Sequence, residues 1–448
     1  MWYKQGQIII IVSAVLLLAH PLWANEECQT RGEIHDKIHD EHEEKTAQKK
    51  GITYNIGAEE RVRGDFVTNQ NLGDFSYAPD THDEQILSRT RVNFLLSPIK
   101  ELKVFAEGQF YMREDNEGDS DYSKGNLYQA YAELSDMEHI PLEAKVGRQQ
   151  LCYGSGFFLG TNDFYDGLVW DAAKARVLLG DKFWVDGIAA RYVNLNKGTS
   201  KDRPALYGAY SQYEITEDTT ADLYFFYHHG GFEFFHSDLA DDATWYTIGT
   251  RFAGKIMEQF DYEIEPLYQF GNIENEERGA HDTISAYGGH VEAGYTFKSK
   301  YNPRLFAGYA FGSGDNKTDD KYYSEFHGNI YNDQYIVGDI SLVPDVSGIT
   351  VGDFRASGMH IIIGGISMDL HPRINLNIDY HYFLADKTPA DISRNIGSEV
   401  NVIANFKITE NVNLILSANR FFLGRFFKDA VDSRKDINYF YVQTQIKF

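Results

Sequence analysis

Cysteine is nearly absent from this chain of 448 residues, with only Cys28 and Cys152 present. That excludes a disulfide-stapled scaffold and a cluster of several cysteines around a metal. Proline is scarce at 10 residues. The one long apolar run, from Ile8 to Ala19, is about half the roughly 20 residues a helix needs to span a bilayer, so no helical anchor is expected. Bases are outnumbered, with 42 Lys and Arg against 66 Asp and Glu, and no basic tract stands out. Nucleic-acid binding is thereby set aside. No blade-length repeat supports a propeller. No nucleophile elbow, and no Ser and His that adjacent strands would pair, supports a hydrolase, so the chain is not expected to be an enzyme.

The first 24 residues read as a secretory signal. Lys4 supplies the basic start, the run from Ile8 supplies the apolar centre, and Leu22-Trp23-Ala24 supplies the cleavage site. Residues 25–50 form a polar, charged periplasmic tail with too little apolar content for a core. Its His35, His39 and His42 fall at i, i+4 and i+7, one face of a helix, where they could take a divalent metal; a solvated tail is the plainer reading. In an oxidising compartment Cys28 and Cys152 could pair, but Cys28 lies in this tail, and the sequence leaves the pairing open.

What the chain has in abundance is aromatic residues and glycine: 30 Tyr, 30 Phe and 39 Gly within a sequence of polar character overall. From residue 51 to 448 the pattern has period two, as in strands with one apolar and one wet face. Tyr54, Ile56, Ala58 and Val62 alternate with Asn55, Glu59, Arg61, Arg63 and Asp65, and Glu60 is an exception on the apolar side. Val92 and Phe94 alternate with Arg89, Arg91 and Asn93. Val104, Ala106, Phe110 and Met112 alternate with Lys103, Glu107, Gln109 and Arg113. Ile378 and Tyr380 alternate with Asp379 and His381, and Val400 and Val402 with Glu399 and Asn401. The final strand sets Phe440, Val442, Ile446 and Phe448 against Tyr439, Tyr441, Gln443 and Lys447.

Connections alternate in length. Short turns fall near 97–101, 135–141, 179–182, 216–219, 253–259, 297–303, 370–373 and 408–411. Longer polar segments fall near 66–85, 114–125, 153–163, 195–203, 229–242, 271–282, 312–354, 385–397 and 424–436. Eight short and nine long connections imply an all-β fold, a transmembrane antiparallel β-barrel of about 18 strands. Short periplasmic turns and long outer loops are the habit of outer-membrane barrels. A sheet can span hydrocarbon only if it closes, because every backbone group must be paired. A barrel this wide is not filled by its own wall side chains, so an aqueous path is expected unless a loop plugs it. Trp184, Trp245 and Tyr295 are expected at the headgroups. The terminal Phe448 strand resembles the signal read by the barrel-assembly machinery.

Particular residues then narrow the reading. Val146-Gly147-Arg148-Gln149-Gln150-Leu151-Cys152-Tyr153-Gly154, followed by Phe164-Tyr165-Asp166-Gly167, resembles the alginate-export family of outer-membrane porins. Phe311-Gly312-Ser313-Gly314-Asp315-Asn316, with Gly338-Asp339 beyond it, and Gly397-Ser398-Glu399-Val400-Asn401 resemble it as well. The resemblance implies an 18-stranded monomeric barrel, passive export of a polyanionic polysaccharide, and arginines at the constriction. The chain departs from the family's exporters in lacking the long periplasmic loop that helps to occlude the pore, which leaves occlusion to the outer loops or to the tail.

Alternation places Arg61, Arg63, Arg89, Arg91, Lys103 and Arg113 on the inner face of the first three strands. Arg251, Arg304, Arg373 and Lys407 are expected inward elsewhere, and Arg148 joins them through the motif. Such a lining would offset a uronate's desolvation through charge-assisted hydrogen bonds. The competing reading is that these bases neutralise lumenal acids, among them Glu59, Asp65, Glu107, Glu133, Glu143, Asp261, Glu263, Glu265, Glu292, Asp379 and Glu399. No cofactor is expected, although Gly312-Ser313-Gly314-Asp315 and the acids after it could take calcium in an outer loop. His228-His229 should mark a loop tip. The partners expected are outer-membrane lipid and either an anionic polysaccharide or oligosaccharide or, alternatively, a small solute or ion on the same scaffold.

Overall fold

The period-two segments all form strands. A computed structural model describes residues 51–115, 122–193, 195, 204–230, 243–275, 280–316, 321–327 and 336–448. The signal segment and the tail with His35, His39 and His42 lie outside the described residues. In chain order the strands are β1 (Thr53–Gln70), β2 (Tyr77–Ile99), β3 (Leu102–Asp115), β4 (Tyr122–Leu134), β5 (Leu142–Gln149), β6 (Val169–Leu178) and β7 (Phe183–Val193). Then come β8 (Ala205–Thr216), β9 (Thr219–His229), β10 (Thr244–Ile256), β11 (Phe260–Asn275), β12 (Ala280–Thr296) and β13 (Arg304–Gly312). Two short strands, β14 (Tyr322–Tyr323) and β15 (Gly348–Val351), belong to an outer connection. The wall resumes with β16 (Phe354–His371), β17 (Ile374–Lys387), β18 (Asn395–Lys407), β19 (Val412–Leu423), a helix α1 (Arg425–Val431) and β20 (Ile437–Lys447).

The wall strands pair antiparallel with their chain neighbours, β13 pairs β16, and β20 returns to β1. Glu59 pairs Lys447 at one end of that seam and Thr68 pairs Asn438 at the other. The result is a closed barrel of 18 strands, which leaves no edge to face lipid. At the seam's lower end Ala58 and Phe448 exchange two backbone hydrogen bonds, of 3.1 and 2.8 Å.

Alternation sorts the faces as the sequence pattern requires. Val62, Val92, Phe110, Ile362 and Phe440 are exposed on the outer wall, while Arg61, Arg63, Arg89, Glu107, Asp379 and Glu399 are buried inside. An apolar exterior around a polar interior is stable only with hydrocarbon outside. Glu60 does face outward, between Ala58 and Val62; its carboxylate accepts hydrogen bonds from Ser88 Oγ at 3.0 Å and Thr90 Oγ1 at 2.5 Å. Those two hydroxyls supply part of the solvation that lipid cannot.

Each of the eight short turns falls at the junction of two consecutive wall strands. The outer connections differ from expectation in extent. β1 and β2 continue pairing to Gln70 and Tyr77, so 66–85 is mostly hairpin and only 71–76 is loop. β11 and β12 likewise pair as far as Asn275 and Ala280. Strands that rise beyond the bilayer no longer need an apolar face, so their polar ends read as loop in the sequence. Two tryptophans also differ. Trp184 faces inward, with the Arg176 guanidinium 3.9 Å from its ring centre, and Trp245 is buried against His228 at a ring separation of 4.7 Å. Tyr295 does face outward, with 44 % of its surface exposed.

Candidate functional site

The lumen is not an open bore. After the short strand β5 the chain turns inward through residues 150–168, and the connection after β13 also folds in. Leu151, Phe157, Phe158 and Leu159 from the first segment, and Ile340, Leu342 and Val343 from the second, join one apolar core. Trp170, Tyr210, Tyr224, Phe226, Trp245, Phe383 and Phe421 of the wall complete it. Cys152, on the first segment, is disulfide-bonded; the chain's other cysteine, Cys28, lies outside the described residues.

The arginines of β1 and β2 hold this segment. Arg61 donates to the Asp163 carbonyl at 2.6 Å and the Phe164 carbonyl at 2.8 Å, and also to the carbonyl of Tyr165. Arg89 reaches both carboxylate oxygens of Asp163, at 3.0 and 3.1 Å, and pairs with Glu59 at 2.5 Å. Arg91 reaches Asp163 at 2.8 Å and lies 3.9 Å over the Tyr128 ring. Arg63 pairs with Asp65 at 2.7 Å and stacks 3.7 Å over Phe164. Burial alone would raise the Asp163 carboxyl, but Arg89, Arg91 and Arg61 outweigh it and hold the group well below the usual carboxylate range. These four arginines expose between 1 % and 8 % of their surface, so they clamp a loop rather than line water.

Elsewhere the competing reading of the bases accounts for several of them. Arg251 pairs with Asp222 and Glu263, each at 3.0 Å, and Arg304 with Asp261 and Glu292 at 2.5 and 2.7 Å. Arg113 is half-buried on the inner face of β3. Three assignments change. Arg148 projects from the outer wall beside exposed Val146 and pairs with Asp171 at 2.9 Å, because β5 alternates with Leu142 and Val146 outward. Arg373 and Lys407 sit exposed at the short turns, where Lys407 pairs with Glu410 at 2.9 Å. None of the three lines the constriction.

Three further bases, Lys145, Lys174 and Arg176, escaped the sequence reading and join Lys103 and Glu133, which it placed in the lumen. Lys103, Glu133, Lys145 and Lys174 stand in lateral register across β3, β4, β5 and β6. Arg176 faces Glu143 two residues further along β6, towards the short turns. The four basic side chains are 20–26 % exposed, against the nearly sealed arginines above, and buried Asp186 pairs with Lys174 at 3.6 Å and Arg176 at 2.7 Å. The signal was present in the alternation of Ala173, Ala175 and Val177 with Lys174 and Arg176.

The motif residues act as loop anchors. At Gly147, with φ +131°, a Cβ would stand 2.2 Å from the Ala130 carbonyl oxygen. Gln149 donates to Ala172 O at 3.1 Å, and the Asp166 carbonyl accepts from Gln109 at 2.8 Å. Gly167, with φ +83°, packs where a Cβ would meet Tyr128 Oη at 2.1 Å. Ser313 Oγ donates to Ser324 O at 2.7 Å, Gly314 N donates to Asp386 at 2.9 Å, and the Asp315 carboxylate accepts from Ser324 N at 2.8 Å. The acids at 319–320, considered above for calcium, lie outside the described residues. His228 is buried and bonds Thr247 at 3.1 Å, whereas His229 is exposed.

Among known proteins, the family model described as Alginate export matches residues 53–337. No curated protein sequence matches the chain. Solved structures from Pseudomonas aeruginosa share the fold. OccK5 (OpdH) is 12 % identical with a TM-score of 0.55, covering 88 % of this chain and 98 % of its own. OpdQ is 10 % identical with a TM-score of 0.59 and the same two coverages. OpdK, solved with vanillate, is 10 % identical with a TM-score of 0.56, covering 88 % of this chain and 99 % of its own.

Proposed function

Given that the chain belongs to the alginate-export family and is a channel of the bacterial outer membrane, we propose that it passes anionic polysaccharide or oligosaccharide by diffusion, with the inward segment 150–168 setting the aperture. The observation that carries the substrate reading is the partly exposed belt of Lys103, Lys145, Lys174 and Arg176, four bases against the three acids Glu133, Glu143 and buried Asp186. A uronate crossing from β3 to β5 and β6 would exchange one partly hydrated cation for the next. Weak successive contacts favour transit over trapping. A channel of this kind has no intrinsic direction, so export follows the polymer's gradient.

Planar-bilayer recording under a salt gradient tests the reading. The wild type should show an anion-favouring reversal potential and block by polyuronate. Lys145→Glu with Lys174→Glu should move the reversal potential towards cations and weaken the block. A cation-selective wild type indifferent to polyuronate would end the proposal. The second reading, a porin for small solutes, is favoured by the apolar packing of the inward segments, which narrows the outer half of the lumen. It predicts anion conductance without polymer block.

A further inference from the structure

Opposite the arginine clamp, the inner faces of β11 and β12 bring Glu263, Glu265 and His290 together. One ligand atom from each lies within 4.8 Å of the other two. His290 Nε2 is 3.1 Å from Glu263 Oε1 and 3.5 Å from Glu265 Oε2. A tetrahedral centre with ligands at about 2.0–2.2 Å has edges of roughly 3.3–3.6 Å, so these separations suit a small divalent ion. Each carboxylate is oriented through its other oxygen: Arg251 donates to Glu263 Oε2 at 3.0 Å, and the Tyr224 hydroxyl donates to Glu265 Oε1 at 2.7 Å. That outer layer of hydrogen bonds is what fixed metal ligands require.

Two further observations point to a cation. Glu265 is only 2 % exposed, and its Oε2, directed at the imidazole, has no hydrogen-bond partner among the described residues. The buried charges also fail to balance: Asp222, Glu263 and Glu265 stand against Arg251 and the His290 imidazole, which leaves a negative charge over even with that imidazole protonated. Ser155 Oγ, on the inward segment, lies 3.4 Å from His290 Nε2, and Phe157 packs on the ring at 4.6 Å. We propose that Glu263, Glu265 and His290 form a binding site for a divalent transition ion, which fastens segment 150–168 to the wall opposite the arginines. Imidazole with carboxylate oxygen suits zinc and its neighbours in the first transition row.

The probe is zinc alone, titrated calorimetrically into the folded full chain in detergent. The chain carries no histidine tag, and His35, His39 and His42 are changed to Ala so that the tail does not contribute. One equivalent should bind with micromolar affinity and release of protons as pH falls. Glu265→Gln and His290→Asn should each abolish that binding, and Tyr224→Phe should weaken it by roughly 10–100-fold. Heat-modifiable gel migration establishes that each variant is folded, and Glu263→Gln replaces any that is not. Binding no tighter than millimolar in the parent, or micromolar binding that survives all these changes, would overturn the site. Neither result bears on which solute the channel carries.

Discussion

Asp163 is one loop residue on which three guanidiniums converge, and replacing it with alanine isolates what the clamp does. Arg89 and Arg91 together direct three N–H donors at its carboxylate, at 2.8–3.1 Å. Removing one partner from a buried ion pair costs about 3–5 kcal/mol, because the remaining charge stays desolvated. Glu59 still faces Arg89, and the loop carbonyls still accept from Arg61, which places the loss at the lower end. A change of about 3 kcal/mol alters the ratio of docked to released segment by roughly 100-fold. The barrel wall should be unaffected, since none of its ladder bonds involves the loop. In single-channel recording Asp163→Ala should show larger conductance and more open-state noise than wild type. Limited proteolysis should cut within 150–168 much faster, while heat-modifiable migration stays normal. Wild-type conductance combined with wild-type protease resistance would refute the idea that this carboxylate fastens the segment.

Gly167→Ala should reproduce that phenotype by sterics instead of charge, because its Cβ would meet Tyr128 Oη and Arg91 at a backbone angle that glycine favours; unchanged conductance would show that the wall yields. Arg148→Ala should leave selectivity unaltered, because the side chain projects from the outer wall beside Asp171; a shifted reversal potential would place it in the lumen after all. Asp345 lies in the outer connection after β14, and burial pushes its carboxyl up to about 6. A raised carboxyl favours the protonated fold, so its contribution is full below the ordinary value near 4 and is lost as pH rises through about 6. Protease resistance of 336–347 should therefore fall between pH 4 and 7 in wild type, and Asp345→Asn should flatten that dependence.

The wall was legible because hydrocarbon imposes a strict rule on it. Every spanning strand must keep one face apolar, and that face is written in the alternation from Tyr54 to Phe448. Turn positions followed for the same reason. The lumen obeys no comparable rule. Arg61, Arg89 and Arg91 face inward as parity requires, but whether they meet water or a loop depends on where residues 150–168 go, and no local pattern encodes that. Asp163 stands among Asn162 and Phe164 with nothing to mark it. Arg148 was assigned from its motif although the parity of Leu142 and Val146 argued for the opposite wall. Trp245 misled because its size suggests a headgroup anchor, while the space beside His228 inside the barrel is what it fills.

The apolar packing inside the outer half of the barrel has a consequence for the temperature dependence of flux. Ions in a permanently water-filled tube slow on cooling only as fast as the viscosity of water rises. A solute that displaced Phe157, Phe158 and Leu342 from their neighbours would expose that oily surface to water. The activation enthalpy of such passage should therefore carry the heat-capacity signature of that exposure, and an Arrhenius plot of its rate should bend where one for a plain pore runs straight.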